Sequence, residues 1–156
     1  MKYDVNLIGK TRLTEEIVTF QCEKPEIYEF SAGQYCFITL PDKGIQDERG
    51  VRRHLSITSS PSENDLSFAT KLSRSAFKRT LDEMSIGEII RIEKPMGHFI
   101  LDNESKENLT FIAGGIGITP FRSMIRYSID MKTITLSDLG STLPIQNNLL
   151  MKYWVP

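Results

Sequence analysis

Arg53-His54-Leu55-Ser56 is the first of four short segments whose residue types could do chemistry. A guanidinium group on a strand can bind a phosphate through two parallel hydrogen bonds, a geometry that lysine cannot reproduce. The serine three residues later could direct its hydroxyl and backbone N–H at a ring nitrogen of the same ligand. Taken alone, an arginine beside a serine is more often ordinary surface, so the segment needs support from the rest of the chain.

The second segment runs from Thr70 to Lys78, where cationic and hydroxyl residues end a predicted strand and a helix begins. Unpaired backbone N–H groups and the positive end of the helix dipole favour an anion at such a place. The alternative is an ordinary helix capped by Ser73 or Ser75, with its basic side chains in solvent. Both interpretations are open at this stage.

The third segment, Lys94 to Leu101, is a turn stiffened by Pro95 and Gly97. It returns to the core through its apolar residues and carries no chemistry of its own. His98 is more typical of a surface or loop histidine than of a catalytic base, so we assign it no role. His54 has the same default interpretation.

The fourth segment is a glycine loop that follows a predicted strand and opens a helix, which is the context that a dinucleotide-binding loop requires. Glycines let the backbone approach a pyrophosphate, a threonine can cap the helix, and proline suits the first helical position. We therefore favour phosphate binding over a simple tight turn. The residues concerned are Gly114, Gly115, Gly117, Thr119 and Pro120.

The first two thirds of the chain predict the elements that must position these segments. Short β-branched and aromatic runs alternate with turn residues, which is typical of an antiparallel barrel that is closed or nearly closed. One helix interrupts the strands over Ser75 to Met84, with Phe77, Leu81 and Met84 on one face. The predicted strands lie near residues 5–9, 17–20, 36–40, 54–58, 66–72 and 88–93.

The pattern changes after Leu101. A polar connector over 102–108 leads to a buried strand at Leu109 to Ala113, and a helix begins at Pro120. Lys132 to Leu136 could form a second strand, which makes the start of a βαβ unit in a parallel sheet. The apolar face of this helix is predicted to consist of Phe121, Met124, Ile125 and Ile129.

Composition places the chain in the class of ordinary globular proteins. It has 156 residues, of which 40% are hydrophobic and 25% charged, and a formal net charge of −1. This charge gives no reason to expect binding to nucleic acid or to an acidic membrane. Cys22 and Cys36 are not in metal-ligand spacing and are expected to be free buried thiols, with no metal site. With no signal-like stretch and no run of ~20 apolar residues, we expect a cytoplasmic protein that does not enter membranes.

Together and in this order, the segments resemble the ferredoxin–NADP reductase-like flavoproteins over about residues 3–136. Each motif is modest, but five of them in a fixed order are hard to obtain by chance. The residues that carry the resemblance are Phe30-x-x-Gly33-Gln34-Tyr35, Arg53-His54-x-Ser56, Ser75-Ala76-Phe77-Lys78, Pro95-x-Gly97-x-Phe99-x-Leu101 and Gly114-Gly115-x-Gly117-x-x-Pro120.

The resemblance implies a mainly β fold, a six-stranded antiparallel Greek-key barrel with one helix, followed by an incomplete α/β (Rossmann-like) fragment. Residues 1–103 would form the FAD-binding barrel and residues 104–156 a truncated NAD(P)-binding-like βαβ fragment. The implied function is an FAD-binding oxidoreductase that passes electrons between NAD(P)H and a one-electron acceptor, such as another protein. The alternative is an FAD-binding module, an electron relay or an assembly subunit, and a non-flavin interaction barrel is a third hypothesis.

The resemblance also implies roles for individual residues. Arg53 would contact the FAD phosphates, and Ser56 would lie near the reactive edge of the isoalloxazine ring as the catalytic residue. Leu55 stands where the family has an aromatic residue, and it could pack on the ring but not stack on it. The pyrophosphate would meet Ser75, Ala76 and Phe77; further flavin contacts would come from His54, Ile57, Thr58, Thr70 and Lys71; and Gly114, Gly115, Gly117, Thr119 and Pro120 would face the nicotinamide nucleotide.

The family pattern stops after Leu136. A family member would continue with a strand end of the type Tyr-Ser-x-Arg and finish with a Cys-Gly-type segment, whereas this chain has an atypical tail from about residue 137. We therefore expect weakened NAD(P)H binding, and the tail is either off-frame sequence or a natural short form. In the second case, an incomplete sheet would be covered by a homodimer or by a partner.

Overall fold

The computed structural model describes residues 1–101 and 110–133. The predicted tail, the polar connector and the proposed domain boundary near residue 103 lie outside these residues, and that boundary stays a prediction. The elements are β1 (Lys2–Arg12), β2 (Ile17–Glu23), β3 (Tyr35–Thr39), β4 (Arg52–Ser56), β5 (Asp65–Lys71), α1 (Ala76–Glu83), β6 (Ile89–Glu93), a 3₁₀ turn (Gly115–Ile118) and α2 (Thr119–Asp130).

All six strands belong to one antiparallel sheet with the order β4-β3-β6-β1-β2-β5. The two terminal strands, β4 and β5, approach each other beyond the end of β4. There the backbone N–H of Thr58 donates to the carbonyl of Ser67 (2.8 Å), and the Ser67 N–H donates to Ser59 Oγ (3.0 Å). The sheet is therefore a nearly closed barrel, and this confirms the predicted fold class.

Alternation of apolar and polar residues along the strands builds the core of the barrel. Phe20 on β2 lies opposite Phe68 on β5, and their rings stack with centroids 5.4 Å apart. Both side chains are fully buried, as are the core-facing side chains of the neighbouring strand β1. The core therefore forms because one face of most strands is apolar, β4 (RRHLS) being the exception.

Helix α1 packs against the barrel through the face that its periodicity predicts. Phe77, Leu81 and Met84 are buried in the main core. The Lys10 ammonium group donates to the carbonyls of Leu81, Asp82 and Met84 at 3.2, 2.7 and 2.7 Å, so a cation from β1 satisfies the carboxyl end of the helix.

Helix α2 packs differently from the prediction. Phe121 and Met124 are buried, but Ile125 and Ile129 are only half-buried, and Ser123 and Ser128 are buried in their place. The reason is that the Ser123 hydroxyl donates to the Ser59 carbonyl in the segment after β4, while the Ser128 carbonyl accepts hydrogen bonds from Thr133, and an apolar pattern can reveal neither contact. Neither helix in the described part of the chain has the length and apolar character to cross a membrane.

The strands predicted on either side of α2 are wrong where the structure describes them. Residues 110–113 form no strand, and Ile112 is 87% exposed, because this segment makes no ladder with another described strand. Lys132 adopts a left-handed conformation (φ 57°) and the Thr133 N–H donates to Ser128 (2.9 Å), so these residues terminate α2. The remainder of the predicted strand, 134–136, lies outside the described residues.

Candidate functional site

The Arg53 guanidinium group lies between the β3–β4 loop and the start of α1. Its Nη1 donates to the carbonyls of Arg49, Gly50 and Arg52 at 2.7, 2.9 and 2.7 Å. Its Nη2 is buried and has no hydrogen-bond partner among the described residues. One half of the guanidinium is thus fixed by the backbone, while the other half offers N–H donors to an acceptor. Without an acceptor, these buried donors lower the stability of the fold.

Helix α1 begins beside this group with an unexpected cap. Ser75 stands at the N-cap position, but its hydroxyl makes no capping hydrogen bond. Instead the backbone N–H of Ala76 donates to Asp47 Oδ2 at 2.7 Å. Neither Ser73 nor Ser75 is therefore the side-chain cap that the alternative interpretation expected. The sequence does not reveal this role of Asp47, because a polar loop gives no local signal of a contact 29 residues away.

The surroundings of this helix start are strongly cationic. The pKa of Lys78 lies below its usual value, first because of burial and then because of the positive charges of Arg53, Arg49 and Lys71. The pKa of Asp47 is also lowered, chiefly by the hydrogen bond from Ala76 N. Several cations thus lie near the Asp47 carboxylate, which favours a ligand with more than one negative charge.

The register of β4 divides the predicted flavin-binding residues between two faces. Arg53 lies opposite Ile38 and Leu55 opposite Cys36, so both share the buried face of β3. A directly opposed pair has its side chains on one side of the sheet. Leu55 accordingly packs against the main core rather than standing clear of it.

The other two residues of the motif lie on the outer face of β4. His54 is opposite Phe37, and Ser56 is opposite Tyr35. The His54 ring packs edge-on against Tyr35 and Phe37, with centroids 5.7 and 5.8 Å apart. The edge of β4 that faces away from β3 pairs with no described strand and runs past both Arg53 and Ser56. That edge borders the gap between β4 and β5.

Thr58 lies at the far end of the same gap. It is buried, and its Oγ1 has no hydrogen-bond partner in the part of the chain that the structure describes. Arg53 and Thr58 are separated by about 16 Å of extended chain. Of the other predicted contacts, Ile57 and Thr70 are buried, whereas the Lys71 ammonium group is exposed and pairs with Glu16 at 2.8 Å.

The glycine loop presents an open backbone. A Cβ added to Gly114, Gly115 or Gly117 would meet nothing within 4 Å, and Gly115 has a positive φ of 53°. The loop is therefore accessible along its main chain. The Thr119 hydroxyl does not cap α2 as expected. It donates to the Ile116 carbonyl at 2.9 Å, because the helix begins at Thr119 itself and Pro120 is its second residue.

Side chains of α2 attach this glycine loop to the segment that follows β4. The Ser123 hydroxyl donates to the Ser59 carbonyl at 2.6 Å. Arg122 Nη2 donates to Glu63 Oε1 at 2.8 Å, and Arg122 Nη1 contacts the Thr58 carbonyl at 3.3 Å. Glu63 and Arg122 are not among the predicted site residues, since a pair 59 residues apart has no sequence signature.

Two of the motifs that carry the resemblance hold the fold rather than form a ligand surface. Gln34 Nε2 donates to the Gly97 carbonyl at 3.1 Å, and Gln34 Oε1 accepts from Ser31 N at 2.9 Å. Tyr35 and Met96 exchange backbone hydrogen bonds of 3.0 and 2.8 Å. The two motifs therefore join β3 to the turn after β6.

Similarity to known proteins identifies the family to which the chain belongs. No family model matches it. It is 33% identical over 126 residues to a flavohemoprotein of Bacillus subtilis, a match that covers 77% of this chain. Phthalate dioxygenase reductase, described as a modular structure for electron transfer from pyridine nucleotides to [2Fe-2S], superposes on 83% of the chain with a TM-score of 0.67 and 26% identity.

A ferredoxin–NADP⁺ reductase from Neisseria gonorrhoeae, solved with bound FAD and NADP, superposes on 80% of the chain with a TM-score of 0.64. Its identity is 21%, so this likeness concerns the fold alone. The matches span 30% of the flavohemoprotein, 40% of the phthalate reductase and 50% of the Neisseria enzyme. From the order of its motifs, its barrel and these relatives, the chain belongs to the ferredoxin–NADP reductase-like family of oxidoreductases.

Proposed function

We propose that the chain binds FAD in the gap between β4 and β5 and acts as an oxidoreductase with FAD as its cofactor. The observation that carries the proposal is that two of the three buried side-chain polar atoms without hydrogen-bond partners among the described residues lie close together in the chain, the third being Thr80 Oγ1 in α1. The two are Arg53 Nη2 and Thr58 Oγ1, and they lie on one continuous segment that borders the gap. Buried polar groups are normally satisfied, so two on one segment point to a ligand that satisfies them.

The Arg53 end of the gap suits the phosphates of FAD. The guanidinium is already oriented by three backbone carbonyls, so little side-chain freedom is lost when an anion binds. The N–H groups at the start of α1 and the nearby Lys78 add to the attraction for a negatively charged group. Arg53, Ser75, Ala76 and Phe77 accordingly keep their predicted phosphate-binding roles as part of this proposal.

The other end suits the flavin ring. The Ser56 hydroxyl makes no hydrogen bond within the described residues, and the unpaired edge of β4 offers backbone groups beside it. Leu55, which is half-buried, supplies apolar surface, while the buried Ile57, Thr58 and Thr70 keep their predicted flavin contacts as part of this proposal. His54 is held by two aromatic rings on the outer face, so its role is to support the strand next to the ring.

FAD supplies the electron-transfer chemistry when it is bound, and the protein orients it. The residues of this chain would position the electron donor, NAD(P)H, through the open backbone of Gly114, Gly115 and Gly117, with Thr119 and Pro120 shaping the helix start. Contacts from Arg122 and Ser123 hold that loop against the flavin segment. The acceptor is a one-electron carrier, by analogy with the iron–sulfur centre named for the phthalate reductase.

FAD binding by the Arg53→Lys variant tests the cofactor assignment. Lysine keeps the charge but loses the planar pair of donors, so we expect FAD affinity to fall at least tenfold, or about 1.4 kcal/mol. Arg52→Lys is the matched control, because Arg52 stacks on Phe37 (3.6 Å) and pairs with Glu93 on the outer face. Equal flavin retention by the two variants, measured from the absorption spectrum after gel filtration, contradicts the assignment.

Anaerobic addition of NADH or NADPH to the flavin-loaded chain tests the activity. Bleaching of the flavin absorption within seconds is expected if the glycine loop delivers the donor. Retained flavin colour at millimolar NADH and NADPH leaves the alternative function, an FAD-binding module or electron relay without NAD(P)H activity.

A further inference from the structure

Asp47 occupies the place where the proposed function puts a phosphate. Its Oδ2 accepts from Ala76 N at 2.7 Å, and its Oδ1 lies 3.9 Å from Arg53 Nη2. These two N–H groups are the first donor of α1 and the donor of Arg53 that has no hydrogen bond within residues 1–101 and 110–133. A carboxylate there imitates a phosphate oxygen in charge and position.

We infer that the Asp47 carboxylate competes with the flavin phosphates for the same N–H donors. It thereby sets the affinity of the chain for these phosphates. The inference rests on the proposed function, since it assigns an affinity-determining residue to the same site. A phosphate and the Asp47 carboxylate cannot both accept from Ala76 N without bringing two anions together, and like charges at such distances repel. The carboxylate therefore leaves when a phosphate binds.

Asp47 does not orient Arg53, which is the other role that its position suggests. The 3.9 Å separation is too long for a hydrogen bond. The backbone carbonyls of Arg49, Gly50 and Arg52 fix Nη1 instead. Removal of the Asp47 charge thus leaves the phosphate-binding donor where it is.

The loop around Asp47 can release the carboxylate at little cost in packing. Residues 46–49 are exposed, and Gly44 and Gly50 have positive φ values of 75° and 60° with no atom near a built Cβ. Apart from Ala76, the Asp47 side chain accepts a hydrogen bond from the Arg49 backbone within its own turn (2.9 Å). A side-chain rotation is enough to free Ala76 N.

The hydrogen bond from Ala76 N holds the pKa of Asp47 below its usual value, so the carboxylate stays ionised at neutral pH. Competition is therefore a constant property of the chain between pH 5 and 8. The competition is therefore tested by a substitution of Asp47 and not by a change of pH.

The test is the Asp47→Asn variant of the full chain, titrated with FAD, riboflavin and inorganic pyrophosphate. Asparagine keeps an oxygen for Ala76 N but has no charge, so we expect FAD and pyrophosphate to bind about 3- to 10-fold more tightly. Riboflavin has no phosphate, and its affinity should not change. Asp42→Asn is the matched control, because Asp42 lies in the same loop and accepts only from Gly44 N (2.8 Å).

Unchanged or weaker binding of both FAD and pyrophosphate by Asp47→Asn overturns the inference. Circular dichroism establishes that the variant is folded, and Asp47→Ser, which keeps an acceptor for Ala76 N, replaces it if it is not. Failure of the proposed function has a different signature. In that case FAD and riboflavin do not bind the wild-type chain, while pyrophosphate still binds more tightly to Asp47→Asn and is lost in Arg53→Lys.

Discussion

Gly33 lies where its own loop, the backbone at Phe99 and the Met124 side chain of α2 come close together. Its φ is +99°, and a Cβ built on it would clash with the Phe99 carbonyl oxygen and the end of the Met124 side chain. A residue with a side chain would have to adopt a disfavoured backbone conformation and also displace the backbone at Phe99 and the end of the Met124 side chain.

Gly33→Ala is therefore expected to lower the free energy of unfolding by about 2–4 kcal/mol, from backbone strain and overpacking together. Gly44→Ala is the control for backbone strain alone. Gly44 also has a positive φ (75°), but nothing lies within 4 Å of its Cβ position. Urea denaturation of both variants measures the difference, and equal losses would mean that the close contact with Phe99 and Met124 does not constrain the fold.

The two cysteines give a prediction about reactivity. Burial raises the pKa of Cys22 and of Cys36 to about 12, so both are thiols rather than thiolates at pH 8. Since the thiolate is the nucleophile, an alkylating reagent should label neither residue in the native chain and both in urea. Mass spectrometry after a short pulse counts the labels, and rapid labelling of the native chain contradicts the prediction.

The same shifts predict a loss of stability at high pH. A pKa that is higher in the folded state than in the unfolded state means that the folded chain binds more protons between the two values. The stabilisation is present below about pH 9 and is lost as pH rises towards 12. The midpoint of urea unfolding should fall steadily above pH 9, and a midpoint independent of pH from 8 to 11 would contradict it.

Arg53 and Asp47 show what a sequence can and cannot predict at this scale. A motif of four residues on a strand made Arg53 a candidate, because strand periodicity and residue type are local properties. Asp47 depends on how a loop folds over a helix that begins 29 residues later. No spacing rule contains that information, so the structure was needed to find the residue that competes at the same site.

At the scale of elements, the strands and α1 were predictable because their burial follows a simple period. Phe77, Leu81 and Met84 are on the buried side of α1, as the i, i+4, i+7 spacing indicates. Helix α2 was predictable in position but not in orientation. Besides the apolar contacts of Phe121 and Met124, α2 is held to the barrel by hydrogen bonds from Ser123 and Arg122, and these polar contacts have no apolar periodicity to detect.

That polar interface carries a prediction of its own. Arg122 and Glu63 are largely shielded from water, so Glu63→Gln should loosen α2 by about 1–2 kcal/mol. Glu16→Gln is the control, because Glu16 pairs with Lys71 where both side chains are more than half exposed (65% and 58%), and such pairs contribute little. Hydrogen exchange of the α2 amides reports the change, and equal protection in both variants would contradict a structural role for the Glu63–Arg122 pair.

For the whole molecule, the decisive feature is that the barrel is closed at only one end of the β4–β5 seam. Thr58, Ser59 and Ser67 join the strands there, whereas no ladder joins β4 to β5 along the rest of their length. A ligand that fills the gap contacts both terminal strands and the start of α1. It should therefore act as a missing part of the sheet and stabilise the barrel as a unit.

FAD is accordingly expected to raise the thermal stability of the chain. A ligand that binds only the folded state adds about 2.7 kcal/mol at a hundredfold excess over its Kd, which for a chain of this size corresponds to a Tm increase of roughly 5–10 °C. Arg53→Lys should lose most of this increase at the same FAD concentration, because the fraction bound falls, while Arg52→Lys should retain it. Calorimetry with and without FAD measures the shift. A wild-type Tm that does not respond to FAD would mean that no ligand of this kind bridges β4 and β5.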